Sequence, residues 1–491
     1  VPGIYNLKKV IGADIVMDDF VQKLLEFETV ELRNFRILSK YEIWPIIRYA
    51  VLNKAVSEYL NLQRPHAEFE RKSLSQKLSY LSLSLLKKPW VVSQEDILFF
   101  VSARSNTVKK EGKYFNVLTD YYALIFRDQT TVLEESFRLG YKYPRYFPTT
   151  YYIDFMFLQG ILKSKIFKKS IDKDSFENIN GFLEYLKVFF PMKLEDTFLN
   201  SLKELLMKYA LRIPYWEHSY KELFEKFSPK IVFINTASYG GRNALLTCWA
   251  HDLGIKVGEF QHGVISRIHL AYNYGNGIIN SAWYKKYLPD FLLLWGKYWR
   301  EQIKTPSEKH IVGNAHIIEK RKQLEADDKK LDRNKKVVLM ISQGTLTSTI
   351  VELTRKLSKL LGDNYTIMYK LHPGEVPFKE RYKVLHELPN VLVVSEGDIY
   401  DYIFNSNYVV GVYSTTLYEA IAFRKPVFIL KHPLSEAYID PKIGKFFSDA
   451  EELVNLILET GDEGNKDILK TEYFWANEWK HNYREFVKSI L

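Results

Sequence analysis

The chain has 491 residues, a length that suits two or three domains and at least one large core, so a small scaffold stapled by metals or disulfides is excluded. Hydrophobic residues at 46% and charged residues at 26% are the proportions of a folded, water-soluble protein, and 23 Gly with 17 Pro are too few for a low-complexity chain. Aromatics at 15% and a net charge of +10 stand out, and together they call for an anionic ligand or surface.

A lone cysteine, Cys248, excludes an intrachain disulfide and a thiolate zinc cluster, and it points to a reducing, cytoplasmic compartment. No apolar run approaches the roughly 18 residues that a membrane span needs. The first twenty residues carry Asp14, Asp18 and Asp19 and no signal-peptide profile. Any membrane contact is therefore expected to be peripheral, at the anionic inner face.

In chain order, residues 1–92 form a mainly helical N-terminal segment, with Ile43, Ile46, Ile47, Ala50, Val51 and Ala55 at the three-and-four spacing of an amphipathic face. An α/β domain over 93–318 follows, with strands expected at 96–102, 131–134, 230–235, 256–260 and 290–295 and helices at 182–190, 194–211 and 242–253. Residues 319–336, dense in both charges, are expected to be a linker or a linker-proximal helix. A second α/β domain spans 337–470, with strands at 336–341, 365–371, 391–394, 408–412 and 426–430 and a helix at 347–361. Residues 471–491 form a C-terminal helix for which a return to the first domain is open. The alternation implies two Rossmann-like parallel sheets, facing each other, with ligands at the carboxyl ends of their strands.

Three segments carry candidate chemistry. In the first, a strand ends in Ser414-Thr415-Thr416 and turns into a helix, so hydroxyls and free N–H groups meet whatever anion sits there; an ordinary helix cap is the plainer alternative. Glu419, one turn on, is placed to accept hydrogen bonds from ribose hydroxyls. In the second, His372 leaves its strand where Pro373 forbids continuation, free to donate to a phosphate. In the third, His262 ends the strand 256–260 and Gly263 permits a sharp turn, leaving an imidazole at the strand tip; His269 is a second candidate. Gly344 and Thr345 can approach the donor phosphates. Arg104 and Ser105, with Tyr239 and Arg242 in the loop 235–243, can touch an acceptor.

The His-Pro pair and the later Ser-Thr-Thr resemble the donor-nucleotide motifs of bacterial sialyltransferases, Kdo transferases and CDP-glycerol glycerophosphotransferases, over about 335–435. These are GT-B enzymes that build capsules, lipopolysaccharide and teichoic acids. The resemblance implies a glycosyltransferase taking a nucleotide-activated donor, a CMP-sugar such as CMP-Kdo or CMP-sialic acid first, to a surface-glycan or glycolipid acceptor. It implies that His372, Ser414 and Thr415 contact the donor phosphate and Glu419 the ribose. Gln261-His262-Gly263 is similar to the His-Gly segment of the glycerophosphotransferases, where the histidine serves as base. The sialyltransferase pattern of two acids before a glycine is not met, since Glu396-Gly397-Asp398 is permuted.

No cofactor and no metal are expected: Asp172-Lys173-Asp174 fits the Asp-x-Asp pattern but lies among polar residues, as a solvated loop would. Polyol-phosphate transfer, a nucleotide-sugar epimerase or hydrolase on the same fold, and a non-catalytic polyanion-binding protein remain the alternatives. Nucleic acid is not an expected partner, because acids are interspersed with the basic residues.

Overall fold

The computed structural model describes residues 17–60, 73–87, 89, 94–166, 170–327, 335–461 and 468–491. Asp14, with the rest of 1–16 and with 61–72, 88 and 90–92 of the expected N-terminal helical segment and 328–334 of the expected charged linker, lies outside the described residues. The chain divides into two compact units: one of Val1–Leu294, Gln302–Val312 and Lys480–Leu491, the other of Trp295–Glu301 and Gly313–Trp479.

The first unit is built on a seven-stranded, all-parallel sheet in the order Glu308–Ile311, Phe291–Leu294, Lys256–Phe260, Ile231–Ile234, Ile97–Ser102, Thr130–Glu135, Thr150–Tyr152. Its inner strands are buried along nearly their whole length, which is why they read as continuous apolar runs. The edge strands Thr150–Tyr152 and Glu308–Ile311 carry no such run and were not expected; the partner, not the sequence, makes them strands.

The described part of the N-terminal segment belongs to the first unit. After helix Met17–Glu26 come a 3-10 turn and a short hairpin pairing Arg36–Ile37 with Tyr41–Glu42, both unexpected in a segment read as mainly helix. Helix Ile43–Tyr59 then packs into the first unit, and its apolar residues are buried on several sides. The Tyr41 hydroxyl accepts from Trp249 Nε1 at 3.0 Å, and the Tyr287 hydroxyl donates to Glu42 at 2.6 Å. Gly240, at φ +76°, lies so close to this helix that a Cβ there would stand 2.5 Å from the Pro45 carbonyl oxygen.

The second unit holds a six-stranded parallel sheet in the order Val391–Val394, Tyr365–Lys370, Lys336–Ile341, Tyr408–Gly411, Val427–Leu430, Lys445–Phe447. Helix Thr347–Leu361 lays Ile350, Leu353, Leu357 and Leu361 onto one face, the spacing legible in the sequence. The charged stretch, expected as a linker or a linker-proximal helix, is helix in its described first part: Ala315–Ala326 is capped by Asn314. It is pinned by Arg321, whose guanidinium donates to the Ala422 carbonyl and to Asn477, both at 2.8 Å. Lys320 bridges Asp398 and Asp401 at 3.0 Å each.

Candidate functional site

Both sheets have a topological switch point, a place where successive strands depart in opposite directions and leave a crevice at their carboxyl ends. In the second unit it lies between Lys336–Ile341 and Tyr408–Gly411. The loops after these strands hold Gly344 and Thr345 on one side and Ser414 to Thr416 on the other, and Thr345 Oγ1 hydrogen-bonds the Tyr413 hydroxyl between them. His372 leaves the next strand over. Its backbone N–H donates to Ser342 Oγ at 2.7 Å, and Ser342 Oγ in turn donates to Glu375. The buried Glu375 carboxylate also accepts from the Tyr382 hydroxyl, so one side chain ties two strand-end loops together. A Cβ at Gly344 would come within 3.2 Å of Glu375, which keeps that loop tight.

The side chain of His372 is exposed, and its Nδ1 accepts the Gly374 N–H at 3.0 Å. In the neutral ring the proton then sits on Nε2, which makes Nε2–H a donor. Ser414 takes the role of the plainer alternative, capping helix Thr415–Ala422 by accepting the Thr416 N–H at 3.2 Å; Thr415 is exposed at the start of the first turn. Glu419 is half-buried, accepts from the Tyr400 hydroxyl at 3.2 Å, and is pushed by burial up to about 7. A second His-Pro pair went unnoticed in the sequence: His432-Pro433 follows Val427–Leu430, with His432 Nδ1 accepting from the Leu434 N–H at 3.1 Å. The repeated dipeptide after a strand was the available signal.

In the first unit the switch point lies between Ile97–Ser102 and Ile231–Ile234. Arg104 follows the former, exposed, with its guanidinium 5.8 Å from the Phe137 ring centroid. The Ser105 carbonyl accepts the Val117 N–H at 3.2 Å. Tyr239 lies on the turn Ala237–Tyr239, its hydroxyl 2.9 Å from His269 Nε2 and its ring 5.3 Å from that of His262. Arg242, expected as an acceptor contact, pairs with Glu135 and lies 4.8 Å from the Phe157 ring centroid.

His262 departs from the expected strand-tip residue. It is half-buried in a cluster with Tyr239, His269 and Tyr272, and burial together with the Arg104 charge pushes it down to about 4. Gly263 does not take left-handed backbone, and a Cβ there would meet nothing within 4 Å, so the turn does not depend on glycine. Burial, then the neighbouring His262, pushes His269 down to about 4 as well. Beneath them Glu259, fully buried, accepts from the Ser238 N–H at 2.8 Å, the Ser238 hydroxyl at 2.6 Å and the Tyr272 hydroxyl at 2.7 Å; burial still lifts it to about 7.

The Tyr272 hydroxyl has one proton. Donated to Glu259, it leaves a lone pair toward His262 Nδ1 at 3.3 Å, so Nδ1 carries the imidazole proton and Nε2 is the free base. With Glu259 ionised, nitrogen NMR of histidine-labelled protein is expected to show His262 protonated at Nδ1, reverting to Nε2 in Tyr272→Phe. An Nε2-protonated ring in the unaltered protein would refute this arrangement.

Asp172, of the Asp-x-Asp pattern, caps helix Lys173–Phe189 by accepting the Ser175 N–H at 2.8 Å; the expected loop is a helix start. Among the described residues no group of three His, Cys, Asp or Glu could hold a metal ion, and no helix is long and apolar enough to cross a membrane. Cys248 is buried, and burial pushes its thiol up to about 12.

No family model matches the chain, and no curated protein matches its sequence. Among solved structures it is similar to UDP-GlcNAc 2-epimerase from Methanocaldococcus jannaschii at 11% identity, covering 80% of this chain and 99% of that one, with a TM-score of 0.46. It is similar to UDP-GlcNAc 2-epimerase from Neisseria meningitidis bound to UDP-GlcNAc at 13% identity, covering 80% and 98%, TM-score 0.42. A third similar structure, the glycotransferase of kitacinnamycin, has 12% identity, coverage of 82% and 100%, and a TM-score of 0.43. Likeness at this level bears on neither substrate nor mechanism.

Proposed function

We propose that the protein is a glycosyltransferase that binds a nucleotide-activated donor on the second unit and deprotonates an acceptor hydroxyl with His262 of the first. The observation that carries this reading is that neighbouring parallel strands of one sheet end in His372 with its Nε2–H donor, in the Thr345 loop and at the start of helix Thr415–Ala422, the last two flanking the switch point. Such donors suit a phosphate, and their N–H and hydroxyl hydrogen bonds offset the charge of a departing nucleotide. Glu419, the half-buried carboxyl on the same helix, suits a ribose hydroxyl.

In the transfer step the acceptor oxygen bonds to the anomeric carbon while the carbon–oxygen bond to the nucleotide phosphate breaks. The bonding pair leaves on the phosphate oxygen, and the hydroxyl proton passes to His262 Nε2. A cytidine nucleotide is the first donor to try.

The test is a thermal-stability screen of CMP-, CDP-, UDP- and GDP-linked sugars and of CDP-glycerol, because a ligand that binds only the folded state raises its stability by mass action. His372→Ala is expected to weaken the best binder about tenfold or more, the value of a hydrogen bond to a charged group. A donor that binds His372→Ala unchanged would overturn the site. Conversion of donor at full rate without acceptor would favour epimerisation or hydrolysis over transfer.

A further inference from the structure

Helix Leu74–Leu86, in the first unit, is turned against the ordinary rule for a helix in water. Its inward side presents Tyr80 and Ser84, both buried, with the Tyr80 hydroxyl donating to Asp154 at 2.9 Å and Ser84 Oγ donating to the Tyr80 carbonyl at 2.8 Å. Its outward side carries Leu78, Leu81 and Leu85, three and four residues apart, at 57%, 45% and 58% exposure, and Leu86 beside them at 81%. Helix Asp154–Ile166 packs against it and adds Leu162 and Ile166, one turn apart and both exposed. Single exposed apolar residues are ordinary, but six on two neighbouring helices form a patch that calls for an occupant.

The charge around the patch selects the occupant. Neither 73–87 nor 155–166 contains a single Asp or Glu, and Asp154 is buried against Tyr80. Lys87 and Lys165 are exposed and Lys163 half-exposed, so among the described side chains of these two stretches the charges outside buried Asp154 are basic. Lys87 Nζ lies 5.9 Å from the ring of Tyr143, itself exposed in a loop that also holds out Phe137 and Leu139 and is joined to the helix through the Tyr80–Tyr141 ring contact. Leucines flanked by lysines and aromatics have the chemistry of an interfacial surface: apolar groups enter the acyl boundary while the amines meet anionic headgroups.

We propose that this leucine face docks the protein on an anionic lipid surface. The inference stands independently of the proposed transfer, since none of these side chains belongs to the candidate site. The experiment is co-sedimentation of the full chain with phosphatidylcholine vesicles and with vesicles that also contain phosphatidylglycerol. Binding is expected to be at least tenfold stronger to the anionic vesicles and to fall as steeply on addition of salt.

Two variants are compared: Leu78→Ser with Leu81→Ser and Leu85→Ser, and Lys87→Glu with Lys163→Glu and Lys165→Glu. Each is expected to lose at least tenfold in vesicle binding while keeping its melting temperature and nucleotide affinity, since all six side chains are at least partly exposed. Absence of binding to either vesicle at low salt, or variants that bind like the unaltered chain, would overturn the proposal. So would a dimer in solution that the serine variant dissociates without any vesicle binding, which would make the face a contact between copies. Failure of the nucleotide screen alongside vesicle binding would count against the transferase reading alone.

Discussion

Replacing Arg48 by methionine is expected to lower the unfolding free energy by about 3–5 kcal/mol, the cost of breaking a buried ion pair from one side. The Arg48 side chain is 2% exposed and that of Glu28 is fully buried. The guanidinium holds Glu28 through two nitrogens, donates to the Leu270 and Asn273 carbonyls, and lies 4.0 Å over the Tyr274 ring. Glu28 also accepts from Trp44 Nε1 at 3.0 Å and from the Gly275 N–H at 2.8 Å. Burial pulls the Arg48 pKa down, and the Glu28 carboxylate more than offsets it, so the guanidinium stays charged.

Without the arginine, Glu28 is a buried charge lacking its main partner and two buried carbonyls lose their donor. Urea unfolding followed by tryptophan fluorescence measures the effect. The double variant Glu28→Leu with Arg48→Met should recover part of the loss, because removing both charges removes the unpaired one. A single-variant cost below about 1 kcal/mol, or a double variant no better than the single, would contradict this account. Since Leu270 and Asn273 flank Tyr272, the Arg48 variant is also expected to disturb the tautomer of His262.

His262→Ala is expected to reduce transfer by about 10²- to 10⁴-fold, the range for loss of a positioned base, with donor affinity kept, because the donor motifs belong to the second unit. Turnover unchanged in this variant would remove His262 from the mechanism. The acid limb of kcat/KM supplies a second reading of the same residue. A base must be unprotonated, and burial with the Arg104 charge holds His262 down to about 4. Protonation of His262 itself should therefore cut the rate only as pH passes through about 4. An earlier change is expected at about 7, where Glu259 takes up its proton and the tautomer of His262 is released; in Glu259→Gln that change should vanish. A solvated imidazole would impose its own limb at about 6.5. A limb at the solvated position would show that the ring is not desolvated in the working enzyme.

Much of the scaffold was legible because buried parallel strands leave an unmistakable trace. Ile97–Ser102, Lys336–Ile341 and Tyr365–Lys370 are apolar on both faces since helices cover both, and their ends fall within a residue of the expected ones. Glu308–Ile311 and Lys445–Phe447 were missed because a short edge strand has a single neighbour and little to bury. Within the candidate sites, residues at strand ends were foreseen and their supports were not. Glu259 sits in a strand buried from Val257 to Phe260, and a carboxylate there demands partners, but nothing in Lys256–Phe260 names Ser238 or Tyr272. Glu134 poses the same question in its own strand and is answered by Arg145 at 2.6 Å.

By itself, then, the sequence of 491 residues with its surplus of ten positive charges determined the class of the fold, the strands of both sheet interiors and the dipeptides that stand at their carboxyl ends. These are local properties, written in the apolar period of a strand and in the backbone limits of proline. Only the tertiary structure decided that Arg242 pairs with Glu135, that His262 is sheltered beside Tyr239 and Tyr272, and that Leu78, Leu81, Leu85 and Leu86 face outward. Each of those depends on which side of an element meets a partner distant in sequence, and a helical or strand period states that a face exists without stating what lies against it.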